Sequence, residues 1–429
     1  MPRPATIRIA RHQWTEVRDL FAAVKGNARV MVITEGIAAI SFQWQRTYIG
    51  LYMLALGVTE VQIGLLQSVL IVTQVISTLL GGYVADRLGR KRTLVVFDII
   101  CWGVPMFLYA IARNPWYFLI GRAINGFVYV VMPSFECLFV EDVPPENRAA
   151  VFGVNQFLAA TAHLLAPVAG WLVAAWGIVP AGRVIMAITM VSSVSIAISR
   201  QFVLHETEVG QARMATTTGA SPVEVVRSYT KALRLMTGDR RITKFLIVRV
   251  LVAFTWVIGS TYAAIYLTDA RGLGLRDATI ALFPFVSAVV TMAMILLAAG
   301  RLRANAVFGT LLIGQALSIL GLLSLVLAPA GTKMWAVLWA IGSAASMALY
   351  QSASKSYWAD IVTDSERAMI FSASSALMAL CTVPAGPLAG VLYTVAPRLP
   401  FVLAIVLQGV ALLLTLTLSR HAAHDPHAS

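Results

Sequence analysis

Long apolar runs separated by short polar breaks fill the chain from about residue 30 almost to its end, without the strict alternation of half-buried strands. Twelve of these runs reach the roughly 20 residues that cross a bilayer as a helix. They lie near 30–52, 61–85, 93–112, 116–140, 149–175, 183–202, 242–268, 278–299, 304–328, 334–358, 367–393 and 399–419. The breaks carry turn residues, as in Arg113-Asn114-Pro115 and Trp176-Gly177-Ile178-Val179-Pro180. Hydrocarbon offers backbone groups no partner, and the runs are too long and too apolar for barrel strands. The pattern therefore predicts an all-α integral membrane protein of twelve transmembrane helices.

The long polar stretch 203–241 divides six runs from six, and the two sets are related. Thr47-Tyr48-Ile49-Gly50-Leu51-Tyr52 corresponds to Thr261-Tyr262-Ala263-Ala264-Ile265-Tyr266, 214 residues later. Asp142 followed by Arg148 corresponds to Asp360 followed by Arg367, and Ala166-Pro167-Val168-Ala169-Gly170 corresponds to Gly386-Pro387-Leu388-Ala389-Gly390, 220 residues later. A tandem duplication implies two pseudo-symmetric six-helix bundles. The expected layout is a cytoplasmic segment 1–29, a first bundle 30–202, a cytoplasmic linker 203–241 with a short amphipathic helix near Val223 to Met236, a second bundle 242–420 and a cytoplasmic tail 421–429.

Composition agrees: 59% of the residues are hydrophobic and 12% are charged, against about a quarter charged in soluble proteins. The net charge of +13 is unevenly spread. With the N-terminus in the cytoplasm, Arg3 to Arg29, Arg87 to Arg92, Arg148, the cluster from Arg200 to Lys244, Arg301, Arg303, Arg367 and Arg420 are inside. Arg113, Arg183, Arg271, Arg276, Lys333 and Arg398 are outside. Both termini are expected in the cytoplasm of a plasma (inner) membrane, and the first 29 residues read as a polar segment and not as a cleaved leader. No module for nucleic acid accompanies the basic charge. Cys101, Cys137 and Cys381 fall inside spans, without metal-ligand or disulfide spacing. No nucleotide-binding, zinc-protease or nucleophile-elbow motif is present, so neither enzyme, metal nor cofactor is expected.

Gly82-Tyr83-Val84-Ala85-Asp86-Arg87-Leu88-Gly89-Arg90-Lys91, after the second run, resembles the Gly-x-x-x-Asp-Arg-x-Gly-Arg-Lys/Arg signature of the major facilitator superfamily. Arg122-Ala123-Ile124-Asn125-Gly126 resembles that family's element in the fourth helix, and Asp142-Val143-Pro144-Pro145-Glu146-Asn147-Arg148 its following loop. The resemblance runs from about 30 to 420 and implies a secondary transporter whose signature latches the two halves together on the cytoplasmic side. The residues themselves suit that role. Gly82 can admit a neighbouring helix, Gly89 allows a tight turn, and Asp86 can pair with Arg90. Two departures stand out. The Gly-Pro-x-x-Gly-Gly element of many proton-driven drug exporters is here Ala166-Pro167-Val168-Ala169-Gly170-Trp171, and the second-half counterpart of the signature, Gly300-Arg301-Leu302-Arg303, has lost its acid.

Ionisable side chains within spans are costly and point to function. Glu35 in the first run and Arg249 in the seventh occupy equivalent repeat positions, as do Glu136 in the fourth and Lys355 in the tenth. All lie roughly 8–14 Å from the cytoplasmic end at 1.5 Å per residue, and the resemblance places these four helices around a central cavity. One half thus offers two carboxylates and the other two cations; snorkelling to water is the competing reading. Arg122, Asn125, Tyr129, Pro133 and Glu136 share a helix face, as do Glu35, Ala39, Gln43 and Arg46, and Arg249, Ala253, Trp256 and Ser260. Glu35, Glu136, Arg122, Arg249 and Lys355 are the expected proton-coupling or gating residues. Gln43, Tyr129, Trp256, Tyr262 and Gln351 are candidates for substrate contact. His163 suits either a proton relay or a bonded core position, and Asp98 is expected to pair with nearby loop arginines.

The expected function is alternating-access transport of a small organic solute by a monomer, driven by protons and directed outward. Proton-coupled import of a metabolite or organic anion, and a non-transporting receptor or scaffold, are the other readings.

Overall fold

The computed structural model describes residues 25–216, 222–298, 307–362 and 367–423. The N-terminal segment to residue 24, the linker piece 217–221, the signature counterpart at 300–303 and the tail from 424 lie outside the described residues. The described chain is helical, and ten of its helices are long and apolar enough to cross a membrane. Gly26–Ala55 and Lys333–Ile361 are as long as those ten but are not among them. These are the two helices that carry Glu35, Gln43 and Arg46, and Gln351 and Lys355.

In chain order the first group comprises α1 (Gly26–Ala55), α2 (Glu60–Leu88), α3 (Arg90–Ala110), α4 (Pro115–Val140), α5 (Pro145–His163 and Ala166–Trp176) and α6 (Ile178–Val203). Two linker helices follow, α7 (Glu208–Thr216) and α8 (Pro222–Gly238). The second group comprises α9 (Arg240–Thr268), α10 (Leu282–Ala298), α11 (Val307–Leu327), α12 (Lys333–Ile361), α13 (Arg367–Thr382 and Ala385–Val395) and α14 (Leu399–Ala423).

Local chemistry sets the ends and breaks. Thr59 and Gln62 form a reciprocal capping box at the start of α2, Asn114 caps α4 ahead of Pro115, and Asp239 caps α9 through the amides of Arg241 and Ile242. Gly89, at φ +86°, turns the chain from α2 into α3. A π-turn at Ile99–Gly103 interrupts α3 just before Pro105, and a 3₁₀ turn at Phe127–Val130 interrupts α4 before Pro133. The duplicated Pro-containing element starts the second piece of both α5 and α13, at Ala166 and Ala385. At the α5 break the Leu165 carbonyl accepts the Trp44 indole N–H at 2.9 Å.

Apolar side chains such as Trp171, Leu320, Leu413 and Val191 stand more than half exposed on the outside, as a lipid-facing surface requires. The largest core gathers Tyr48, Tyr52, Tyr109, Phe118, Tyr262, Tyr266, Tyr393 and Phe401 at the end opposite the Gly82–Lys91 signature. Smaller cores lie within each group nearer the signature end, around Phe139 and Leu94 in the first and Trp358 and Phe245 in the second.

Candidate functional site

At the signature end, Arg90 is buried and shared by two acids. Its Nη1 lies 2.7 Å from Asp86 and its Nη2 lies 3.6 Å from Glu141 at the end of α4. Glu206, just after α6, accepts the backbone amides of Arg90 and Lys91 at 2.9 and 3.0 Å. It thus places a carboxylate on the positive end of α3. Arg87 is exposed and donates to the Tyr83 hydroxyl at 2.9 Å. Thr207 donates to Glu141, joining the chain after α6 to the same cluster. Gly82 does not admit a neighbour: nothing lies within 4 Å of where its Cβ would be. Gly81 is the close-approach glycine, with the Val130 carbonyl 3.2 Å from its would-be Cβ.

Deeper in the first group, Arg200 of α6 is buried and bridges two carboxylates, Glu35 on α1 at 2.6 Å and Asp98 on α3 at 2.9 Å. Its Nε donates to the Thr34 hydroxyl at 3.0 Å, and Nη2, which also binds Glu35, donates to the same hydroxyl at 2.8 Å. The motif-based expectations left Arg200 among the linker's basic cluster. The signal that could have found it is the pair of intramembrane acids, Glu35 and Asp98, in need of a cation.

The charges expected to oppose one another across the halves do not meet in this structure. Arg249 on α9 donates to the Ser374 hydroxyl at 3.2 Å and lies 4.7 Å above the Trp358 ring. Glu136 and Lys355 are exposed, and neither forms an ion pair among the described residues. Gln351 is exposed and donates to the Met347 sulfur of its own helix at 3.6 Å, while Trp256 stands 53% exposed. Gln43 is buried and donates to Thr47 at 3.1 Å. Tyr129 and His163 both feel the charge of exposed Arg46, so α1, α4 and α5 converge there. Half-buried Arg122 on α4 lies near Tyr109, and its buried Nε has no hydrogen-bond partner among the described residues.

The groups are joined instead from mid-depth to the end opposite the signature. Tyr262, a candidate for substrate contact, is fully buried, and its hydroxyl donates to the carbonyls of Glu60 and Gly386 at 2.9 and 3.0 Å. Its repeat counterpart Tyr48 reaches the Asp277 carbonyl at 3.4 Å. Arg271 bridges Glu60 of the first group and Asp269 of the second, both at 2.9 Å. Burial alone would push the Asp269 carboxyl up. Hydrogen bonds from the Arg271 side chain and amide and from the Tyr393 hydroxyl outweigh it and hold the carboxyl below the usual range. Below this clasp, small residues let the backbones touch: a Cβ on Gly64 would lie 2.3 Å from the Gly386 carbonyl oxygen, and one on Gly170 would lie 2.7 Å from that of Ala278. Ser68 then donates to the Val383 carbonyl at 2.5 Å, and Ile71, Val257 and Ala385 pack together. Tyr48, Tyr262, Ser68 and Arg271 thus all join the groups within this zone.

The family described as Major Facilitator Superfamily matches residues 31–309. The quinolone resistance protein NorA of Staphylococcus aureus is 29% identical over 124 residues, covering 29% of this chain and 32% of that protein. The multidrug resistance protein MdtG of Escherichia coli O1:K1 / APEC is 29% identical over 143 residues, covering 32% of this chain and 35% of that protein. The chain thus spans about a third of the length of these curated relatives. Among solved structures, the nucleoside transporter NupG aligns with a TM-score of 0.71 at 14% identity, over 94% of this chain and 100% of that one. A POT family transporter in complex with 5-aminolevulinic acid aligns with a TM-score of 0.67 at 15% identity, over 92% of this chain and 96% of that one.

Proposed function

The chain belongs to the major facilitator superfamily, a family of membrane transporters and not of enzymes, and on that premise we propose that it exports a small organic solute by proton-coupled alternating access. Twelve helices form two six-helix bundles, 30–202 and 242–420, with 203–241 as the linker, and α1 and α12 are the two polar spans that complete the twelve. The excess of Lys and Arg at the signature end puts that end and both termini in the cytoplasm of the plasma (inner) membrane. The structure is then the inward-facing state.

The observation that carries this reading is the one-sided joint. The bundles touch from mid-depth to the far end, while Glu136, Lys355 and Gln351 stand exposed on the other side. Costly charges exposed at this depth suit a water-filled cavity and not a scaffold. Glu35 and Glu136 are the proposed proton carriers, being ionisable carboxylates set within the spans α1 and α4. Arg122, Arg249 and Lys355 are the cations they meet as the cavity changes sides, and the signature at Gly82, Asp86, Arg87, Gly89, Arg90 and Lys91 latches the cytoplasmic end. Gln43, Tyr129, Trp256 and Gln351 are proposed to line the solute's path, and Tyr262 to act in the far-end seal. The outward direction draws on the similarity to NorA and MdtG, whose names state drug resistance. The working unit is proposed to be one chain in the bilayer.

The test is flux in proteoliposomes with and without an imposed pH gradient. Accumulation that follows the gradient supports coupling, flux indifferent to it overturns coupling, and no flux of any solute overturns transport. Inside-out and right-side-out vesicles separate export from import.

A further inference from the structure

The two groups treat their intramembrane charge differently at one register. In the first, Arg200 is matched by Glu35 and Asp98. In the second, Arg249 stands at the place of Glu35 and Gln315 at that of Asp98. Gln315 donates to the Thr415 hydroxyl at 3.1 Å in a neutral pair, and its own buried Oε1 has no hydrogen-bond partner among the described residues. Arg249 is therefore a half-buried cation with no carboxylate beside it among the described residues; its partners are the Ser374 hydroxyl and the Trp358 ring. A guanidinium carries five N–H donors, and one hydroxyl satisfies few of them. A desolvated charge left unpaired is strongly unfavourable, so such a cation calls for an anion.

Its neighbours have the same bias towards donors. Tyr350 on α12 is buried and feels the Arg249 charge; its hydroxyl has no aligned hydrogen bond, although Ser354 stands beside it. Lys355, one turn before Trp358 on the same helix, is exposed and adds a second positive charge. The Trp358 indole that backs Arg249 is itself buried in the core of the second group, packed on Phe245.

Resting on the transporter reading, we propose that Arg249 and Tyr350 form a subsite for the acidic group of the solute, which is an organic anion. A planar guanidinium suits the bidentate geometry of a carboxylate or phosphate. When the cytoplasmic end closes, Glu136 competes with that acidic group for the same cation.

The test is equilibrium binding to the purified full-length protein, using 1-naphthoate, benzoate and phenyl phosphate as probes and 1-naphthamide and 1-naphthylmethylamine as charge-altered controls. At least one anion should bind at least roughly tenfold more tightly than the controls, as hydrogen bonds to a charged group allow. Arg249→Gln should erase that margin, Arg249→Lys should keep part of it, and Tyr350→Phe should weaken the anion several-fold without affecting the amine. Failure of all three anions to bind, equal binding of the controls, or anion binding indifferent to all three substitutions overturns the subsite. So does an Arg249→Gln protein that changes conformational preference but not anion affinity, which makes Arg249 a gate residue. Binding is read without flux: anion binding with no transport sinks the transporter reading alone, and transport of amines without anion binding sinks the subsite alone.

Discussion

Gly64→Ala should push the protein out of its inward-facing state. The added Cβ would lie 2.3 Å from the Gly386 carbonyl oxygen and 2.6 Å from the Tyr262 hydroxyl, and the first of these is backbone that no rotamer change can move. An ordinary carbon–oxygen contact is about 3.3 Å or more, so α2 and α13 must separate by roughly 1 Å at the tightest point of the joint. Overpacking of this kind costs about 1–3 kcal/mol. The penalty applies while the far end is shut and is relieved when it opens, so a middle value of about 2 kcal/mol shifts the equilibrium roughly thirtyfold towards the open far end. Spin labels at Arg113 and Thr394, both exposed at that end, would report the change in a background without Cys101, Cys137 and Cys381. The distance distribution should move to longer values in Gly64→Ala and stay put in Gly82→Ala, whose Cβ meets nothing within 4 Å. A Gly64→Ala protein that folds normally and keeps the short distance would refute the view that this contact closes the far end.

Three further outcomes follow from the charges. Glu136→Gln should flatten the pH dependence of flux and favour the inward-facing state with folding intact; cross-linking of cysteine pairs at the signature end reads the second effect, and an unchanged rate and pH profile in both Glu35→Gln and Glu136→Gln would make these carboxylates structural. Arg200→Met should lower stability by about 3–5 kcal/mol, because Glu35 and Asp98 lose their shared cation; a melting temperature that Asp98→Asn fails to restore in the double variant would argue against the network. The far-end clasp should be insensitive to mild acid. The Asp269 carboxyl is held low, so its contribution is complete above the ordinary carboxylate value of about 3.9 and is lost only as pH falls through the lower folded value. The same spin-label distance, in the Glu35→Gln/Glu136→Gln protein, should hold from about pH 8 to about pH 5; opening within that window would assign the pH response to the clasp.

Spans and the duplication are legible in the sequence because hydropathy and repeat offset are one-dimensional properties. Pairing is not. Arg200 looks like the first of many basic residues after a span, and its acids lie 102 and 165 positions away. A hydropathy pattern cannot distinguish an arginine that snorkels to water from one held between two carboxylates. The glycines show the same limit at shorter range. One step along a helix turns the side chain by about 100°, so Gly82 faces open space while Gly81, beside it, packs on α4.

The duplicated tyrosines carry this point into mechanism. The repeat makes Tyr48 equivalent to Tyr262 and Tyr52 equivalent to Tyr266, which alone reads as the same packing repeated within two similar bundles. In space the pairs divide. Tyr52 and Tyr266 reach carbonyls inside their own groups, Tyr109 at 2.8 Å and Leu325 at 3.5 Å. Tyr48 and Tyr262 reach across, to Asp277 at 3.4 Å and Glu60 at 2.9 Å. Four residues further along a helix brings the side chain round to nearly the same face, slightly rotated and about 6 Å higher. That offset suffices to put one tyrosine in the joint and the other in the core behind it. The asymmetry in length then has a consequence: the Tyr262 side of the joint, with its shorter bond and the Arg271 bridge above it, is the firmer, so opening should begin on the Tyr48 side. Tyr48→Phe should therefore leave the closed population almost unchanged, while Tyr262→Phe should reduce it several-fold, as loss of about 1 kcal/mol implies. Equal effects of the two substitutions on the Arg113–Thr394 distance would mean that the joint opens as one piece.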